Sequence, residues 1–132
     1  MTSDKTILLI AMSCPSAEAA FYPSALFVEE TNVLFYGAGE RVLAYALDPL
    51  MQLWVDSTDC GVWGWSRRGD VVLMSAVLEL VAFDIRAKKL WSAFVEPPWT
   101  YEVDGDAVHL DVMGKKSVFS IHRGPPGATV YR

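Results

Sequence analysis

Residues Asn32–Asp48, "NVLFYGAGERVLAYALD", return 38 positions later as Asp70–Arg86, "DVVLMSAVLELVAFDIR". Without a gap, Val33 falls on Val71, Phe35 on Leu73, Ala38 on Ala76, Ala44 on Ala82, Tyr45 on Phe83 and Leu47 on Ile85. One residue is then lost, and "QLW" ending at Trp54 meets "KLW" ending at Trp91. A third copy follows at an offset of 36: Asp70 falls on Asp106, Val72 on Val108, Phe83 on Phe119 and Ile85 on Ile121. The lead-in repeats too, with "ALF" at Ala25–Phe27, "WGW" at Trp63–Trp65 and "WTY" at Trp99–Tyr101. Self-similarity at this period means stacked or radially arranged supersecondary units, each unable to bury its apolar face alone. The units run over about residues 24–61, 62–97 and 98–132 of a single domain spanning 1–132.

Within a unit the pattern is that of short strands. In the second, the aromatic pair Trp63 and Trp65 opens the first strand, and "RRGD" turns into "VVLMSA". After a short reversal comes "ELVAFDI", then the turn "RAKK" and a fourth strand, "LWSAFV". Alternation and β-branched and aromatic enrichment favour strands over helices. Gly69-Asp70, Asp104-Gly105-Asp106, Pro97-Pro98 and Gly124-Pro125 punctuate them as turns. "SAEAAFY", Ser16–Tyr22, lies between Pro15 and Pro23 and is expected to be a loop or a single turn. The expected fold is all-β: three four-stranded antiparallel units. Four strands in about 40 residues is the blade pattern of a β-propeller.

The repeat also resembles a particular family. "VLAYALDPLMQLW" (Val42–Trp54) and "LVAFDIRAKKLW" (Leu80–Trp91) are similar to the core of the quinoprotein-type, or PQQ-like, propeller repeat. There an aromatic follows Ala, an Asp sits near the strand end, and a Trp opens the outermost strand. Tyr45, Phe83, Trp54 and Trp91 occupy those places, as do Asp84 and, one turn position later, Asp48. The turns "PLMQ" and "RAKK" lack the family's usual Thr-Gly, and the third unit, ending "HRGPPGATVYR", has no such Trp. The resemblance covers roughly residues 24–123. It implies blades, not a cofactor, because a quinone site needs a complete ring with an aromatic floor and a metal. No cofactor and no metal are expected.

Three units are fewer than the four to eight blades of a closed propeller. The expectation is a half-propeller or curled sheet with open edges, completed either by dimerisation into a six-bladed ring, closed two-fold dimers being the commonest oligomers, or by the terminal segments capping the sheet. Ile7–Met12 is a short apolar run behind Asp4 and Lys5. It is at or below the short end of the ~7–15 residues of a signal core. It reads instead as a β-strand over Thr6–Ser13, an outer strand left over to finish a neighbouring blade, in a cytoplasmic chain. The other reading, cleavage after "AEA" at Ala17–Ala19, makes the protein exported.

Composition narrows the function. The chain is 52% hydrophobic with five Trp, five Tyr and six Phe, and aromatics that each bury roughly 150–250 Å² make a core without disulfides or metal. The net charge is −5, and the basic residues cluster only as pairs such as Arg67-Arg68 and Lys115-Lys116. Nucleic-acid binding needs a basic footprint, so no nucleic-acid partner is expected. No run approaches the ~20 apolar residues of a membrane helix. Cys14 and Cys60 are too few for a disulfide scaffold and read as reduced, mostly buried thiols, a single bridge between them being the other reading. "DSTDC", Asp56–Cys60, reads as an Asp- and Ser-rich turn.

Two functional classes remain. "CGVWGW" and "EPPWTY" are equivalent inter-unit segments, placing Trp63, Trp65, Trp99 and Tyr101 either in the packing between units or around a binding mouth flanked by Glu96 and Arg67. Trp and Tyr anchor binding hot spots, so the expected role is a non-catalytic protein-interaction or assembly domain of inhibitor, immunity or adaptor type. The alternative is a small-ligand-binding protein or hydrolytic enzyme using His109, Asp111 and His122. His109 and Asp111 share a strand face, as alternate residues always do.

Overall fold

The structure, a computed structural model, describes residues 23–58 and 61–131. The expected N-terminal strand, the Ser16–Tyr22 loop and both cysteines lie outside the described residues. Twelve strands and no helix are present among them. The first sheet is β1 (Ser24–Val28), β2 (Val33–Ala38), β3 (Arg41–Leu47) and β4 (Leu50–Ser57), each antiparallel to its sequence neighbour. The second repeats this with β5 (Val62–Arg68), β6 (Val71–Ala76), β7 (Glu79–Asp84) and β8 (Lys89–Phe94). The third holds β9 (Trp99–Asp104), β10 (Ala107–Val112) and β11 (Lys115–Ser120). β12 (Thr129–Val130) closes the chain.

The strands are distributed differently from four per unit. The third sheet stops at three, because the segment expected to supply its outer strand crosses back to the second. There β12 pairs with β8 through Thr129↔Ser92 and Val130↔Trp91, making a five-stranded sheet. The crossing is held where Gly124, at φ +82°, lies directly on the Trp91 indole.

Blade 2 is the middle layer, which is why "VVLM" at Val71–Met74 is buried at every position. Successive side chains point to opposite faces, so Val72 and Met74 of β6 and Val81 and Phe83 of β7 meet blade 1, while Leu73, Leu80 and Ala82 meet blade 3. Two cores result. Phe35, Trp65 and Phe83 form the aromatic centre of one, with Phe35 5.3 Å from the Trp65 ring and 5.4 Å from the Phe83 ring. Trp91 centres the other, edge-on to Phe119 at 5.5 Å.

The fourth-strand tryptophans lock each blade to the next. Trp54 of β4 donates its indole N–H to the Ala87 carbonyl of blade 2 at 2.7 Å. Trp91 of β8 donates to the Ile121 carbonyl of blade 3, also at 2.7 Å. Asp84 builds the turn that presents Ala87: its carboxylate accepts from the Arg86 and Lys88 amides at 2.8 and 2.9 Å. The hairpins β5–β6 and β9–β10 turn through Gly69-Asp70 and Gly105-Asp106, both glycines at φ 61°, a backbone conformation that costs glycine nothing.

Candidate functional site

Among the six residues expected at a mouth, three converge. Trp63 of β5 stacks on Trp99 of β9 at 5.7 Å and 21°, and Trp99 stacks on Tyr101 at 6.0 Å and 22°. Trp99 is buried, and its indole N–H donates to the Val77 carbonyl at 3.0 Å. The Tyr101 hydroxyl is 3.1 Å from the Ser66 hydroxyl. Trp63 ends the file and is 49% exposed.

A β-bulge explains the position of Trp63. Val62 pairs with Ala76 and Gly64 with Ser75, leaving Trp63 as the extra residue. A regular strand would put Trp63 on the same side as Trp65, against blade 1. The bulge re-aims it towards blade 3. This feature has no clear sequence signal beyond Gly64 within the strand.

Trp65 belongs to the other core, packed on Phe35 and Phe83, its indole nitrogen buried without a partner among the described residues. Arg67 lies four residues along β5 from Trp63, roughly 13 Å at strand rise. It forms a two-pronged pair with Glu30 of the β1–β2 turn at 2.6 and 2.8 Å and donates to the Gly69 carbonyl at 2.8 Å. That guanidinium holds the Glu30 carboxyl down at about 2, against an ordinary 4.5. Glu96 is exposed in the connection leading from β8 to Trp99.

His109, Asp111 and His122 do not share a site. His109 and Asp111 line a groove on the outward face of blade 3 with Thr100, Glu102, Lys116 and Val118. There Asp111 accepts from the Gly114 amide at 2.8 Å, closing the β10–β11 turn. His122 is not among that groove's lining residues and instead meets Asp70 of blade 2 at 3.1 Å. The bond from His122 lowers the Asp70 carboxyl below its ordinary value. Among the described residues no three His, Cys, Asp or Glu side chains are grouped to hold a metal ion.

The arrangement of blades has counterparts among solved structures. BamB from Moraxella catarrhalis matches 79% of this chain with 36% of its own, at 15% identity and a TM-score of 0.52. Saccharomyces cerevisiae Sqt1 matches 85% with 34% of its own, at 14% identity and a TM-score of 0.54. The fold is that of propeller blades. The computationally designed Ika4 protein is similar over 91% of this chain and 75% of its own, at 16% identity and a TM-score of 0.56. The chain thus spans about a third of the length of BamB and Sqt1. No family model and no curated protein matches.

Proposed function

We propose that this chain is a non-catalytic protein-binding or assembly domain whose contact surface is centred on Trp63. The observation that carries this is a half-exposed tryptophan made rigid by its support. Trp63 is stacked on Trp99, which is itself fixed by a hydrogen bond to blade 2. An anchor held in place before binding loses little conformational freedom on contact. Exposed Glu96, three residues before Trp99, supplies charge at the rim.

The repeats are best read as quinoprotein-type, since the two tryptophans on which that resemblance rests stand in the fourth strand of their blades and dock onto the following blade. Two copies closing into a six-bladed ring would press Glu102, His109 and Asp111 of one onto the aromatic outer face of blade 1 of the other. Those polar side chains would lose hydration against a mostly apolar face. A dimer of this chain is therefore assigned to the Trp63 surface and not to a ring seam.

Affinity capture from a lysate of the cells that make the protein tests this reading, using wild type, Trp63→Ala and His109→Ala chains. Loss of a hot-spot aromatic costs about 2 kcal/mol or more, roughly thirtyfold in affinity. Partners held by wild type and His109→Ala but lost from Trp63→Ala support it. Partners retained by Trp63→Ala sink it.

A further inference from the structure

The two outer faces of the three-blade stack differ in kind. Blade 3 ends on Thr100, Glu102, His109, Asp111, Lys116 and Val118, a face built for water. Blade 1 begins on Phe27, Leu34, Tyr36, Leu43, Tyr45 and Val55. Strand register places these together: Phe27 pairs with Leu34, Leu34 with Tyr45, Tyr36 with Leu43, and Leu43 with Val55. Phe35 and Ala44, which alternate with them, face blade 2.

The repeat shows what such a face is for. At the offset of 38, Phe27, Leu34, Tyr36, Leu43 and Tyr45 become Trp65, Val72, Met74, Val81 and Phe83, the residues blade 2 packs against blade 1. A further 36 along, four of these five positions become Tyr101, Val108, Leu110 and Phe119, which blade 3 packs against blade 2. Every other copy of the face is covered by β-structure. Leu43, at the centre of the blade 1 copy, is only 6% exposed although it belongs to neither inter-blade core.

We propose that the chain's own N-terminal segment covers this face, with the apolar run Ile7–Met12 laid across Tyr36, Leu43 and Tyr45. The segment has the required chemistry: six consecutive apolar residues, "ILLIAM", next to a face centred on Phe27, Leu34, Tyr36, Leu43 and Tyr45, with Gln52 at its edge donating to the Tyr45 hydroxyl at 3.4 Å. It also has the reach. Twenty-two residues precede Pro23 and run directly into β1 of the same blade; extended, they span up to roughly 70 Å, whereas four strands are about 15–20 Å across. Covalent attachment gives the segment a high effective concentration, on the order of millimolar, which a second copy or another protein has to match. The cover makes blade 1 a closed end and leaves the Trp63 surface free.

The experiment replaces Tyr36 with the photo-crosslinker benzoylphenylalanine in the full chain. Equal amounts of unlabelled and nitrogen-15-labelled protein are mixed, irradiated and digested, after the intact mass has verified that the chain still begins at Met1. Crosslinks to peptides within residues 1–22, confined to single isotopic species and reduced at least about tenfold by Leu8→Asp/Leu9→Asp, are expected. Mixed-isotope crosslinks would assign the face to a second copy and overturn the proposal. Absence of crosslinks, crosslinks to another region, or a mature chain lacking the segment would overturn it as well. The mixed-isotope outcome would also move a dimer contact from the Trp63 surface to blade 1, but no outcome bears on partner capture through Trp63, so that reading stands or falls separately.

Discussion

Gly124 sits so close to Trp91 that a β-carbon on it would lie 2.7 Å from the indole ring. The same glycine has φ +82°, so a side chain there meets both a clash and an unfavourable backbone. The contact fixes where the chain leaves blade 3 and returns to pair with β8. Gly124→Ala is expected to destabilise the fold by about 2–4 kcal/mol. Chemical denaturation measures it, and amide exchange should show β12 and the β8 edge opening first.

Trp65 and Trp91 are both core tryptophans, but their indole nitrogens differ. Trp91 donates to Ile121, whereas Trp65 has no acceptor among the described residues. Trp91→Phe removes ring volume and leaves a buried carbonyl without its donor, a cost of about 2–4 kcal/mol. Trp65→Phe removes similar volume but relieves a desolvated N–H. Its cost should be smaller by at least about 1 kcal/mol. Equal denaturation midpoints for the two variants would refute this contrast.

The β10–β11 hairpin turns through Met113-Gly114, with φ of 55° and 90°. Positive φ at both loop positions is the type I′ geometry that favours Asn-Gly. Met113 is 60% exposed and contributes little packing. Met113→Asn is therefore expected to stabilise the protein by about 0.5–1 kcal/mol, read as a rise in thermal midpoint.

Glu30 links blade 1 to Arg67 of blade 2, and its folded pKa of about 2 lies below its ordinary 4.5. The sign follows from proton uptake: the unfolded chain binds this proton first as pH falls. The contribution is thus fully present above pH 4.5 and lost as pH drops towards 2. The wild-type thermal midpoint should fall further than that of Glu30→Gln between pH 5 and pH 2.5. Parallel declines would show that the pair contributes nothing.

The repeat made the strands, their alternation and the three-layer order legible before any coordinates. A side chain's parity along a strand fixes which face it joins, and offsets of 38 and 36 carry that parity from blade to blade. Parity fails at Trp63, where one bulged residue turns the ring from blade 1 to blade 3. It also fails to reveal that Arg67 lies at the far end of β5 and that His122 faces Asp70 and not His109.

By itself the sequence determined the all-β class, the repeat and the recurring tryptophan of the fourth strands, because these are local and periodic. Tertiary structure decided the rest. It sent the last strand to blade 2, since Gly124 lets the backbone approach Trp91 closely. It also separated the polar outer face of blade 3 from the apolar one of blade 1 by stacking order. Those outcomes depend on residues far apart in the chain meeting in space, which no periodicity encodes.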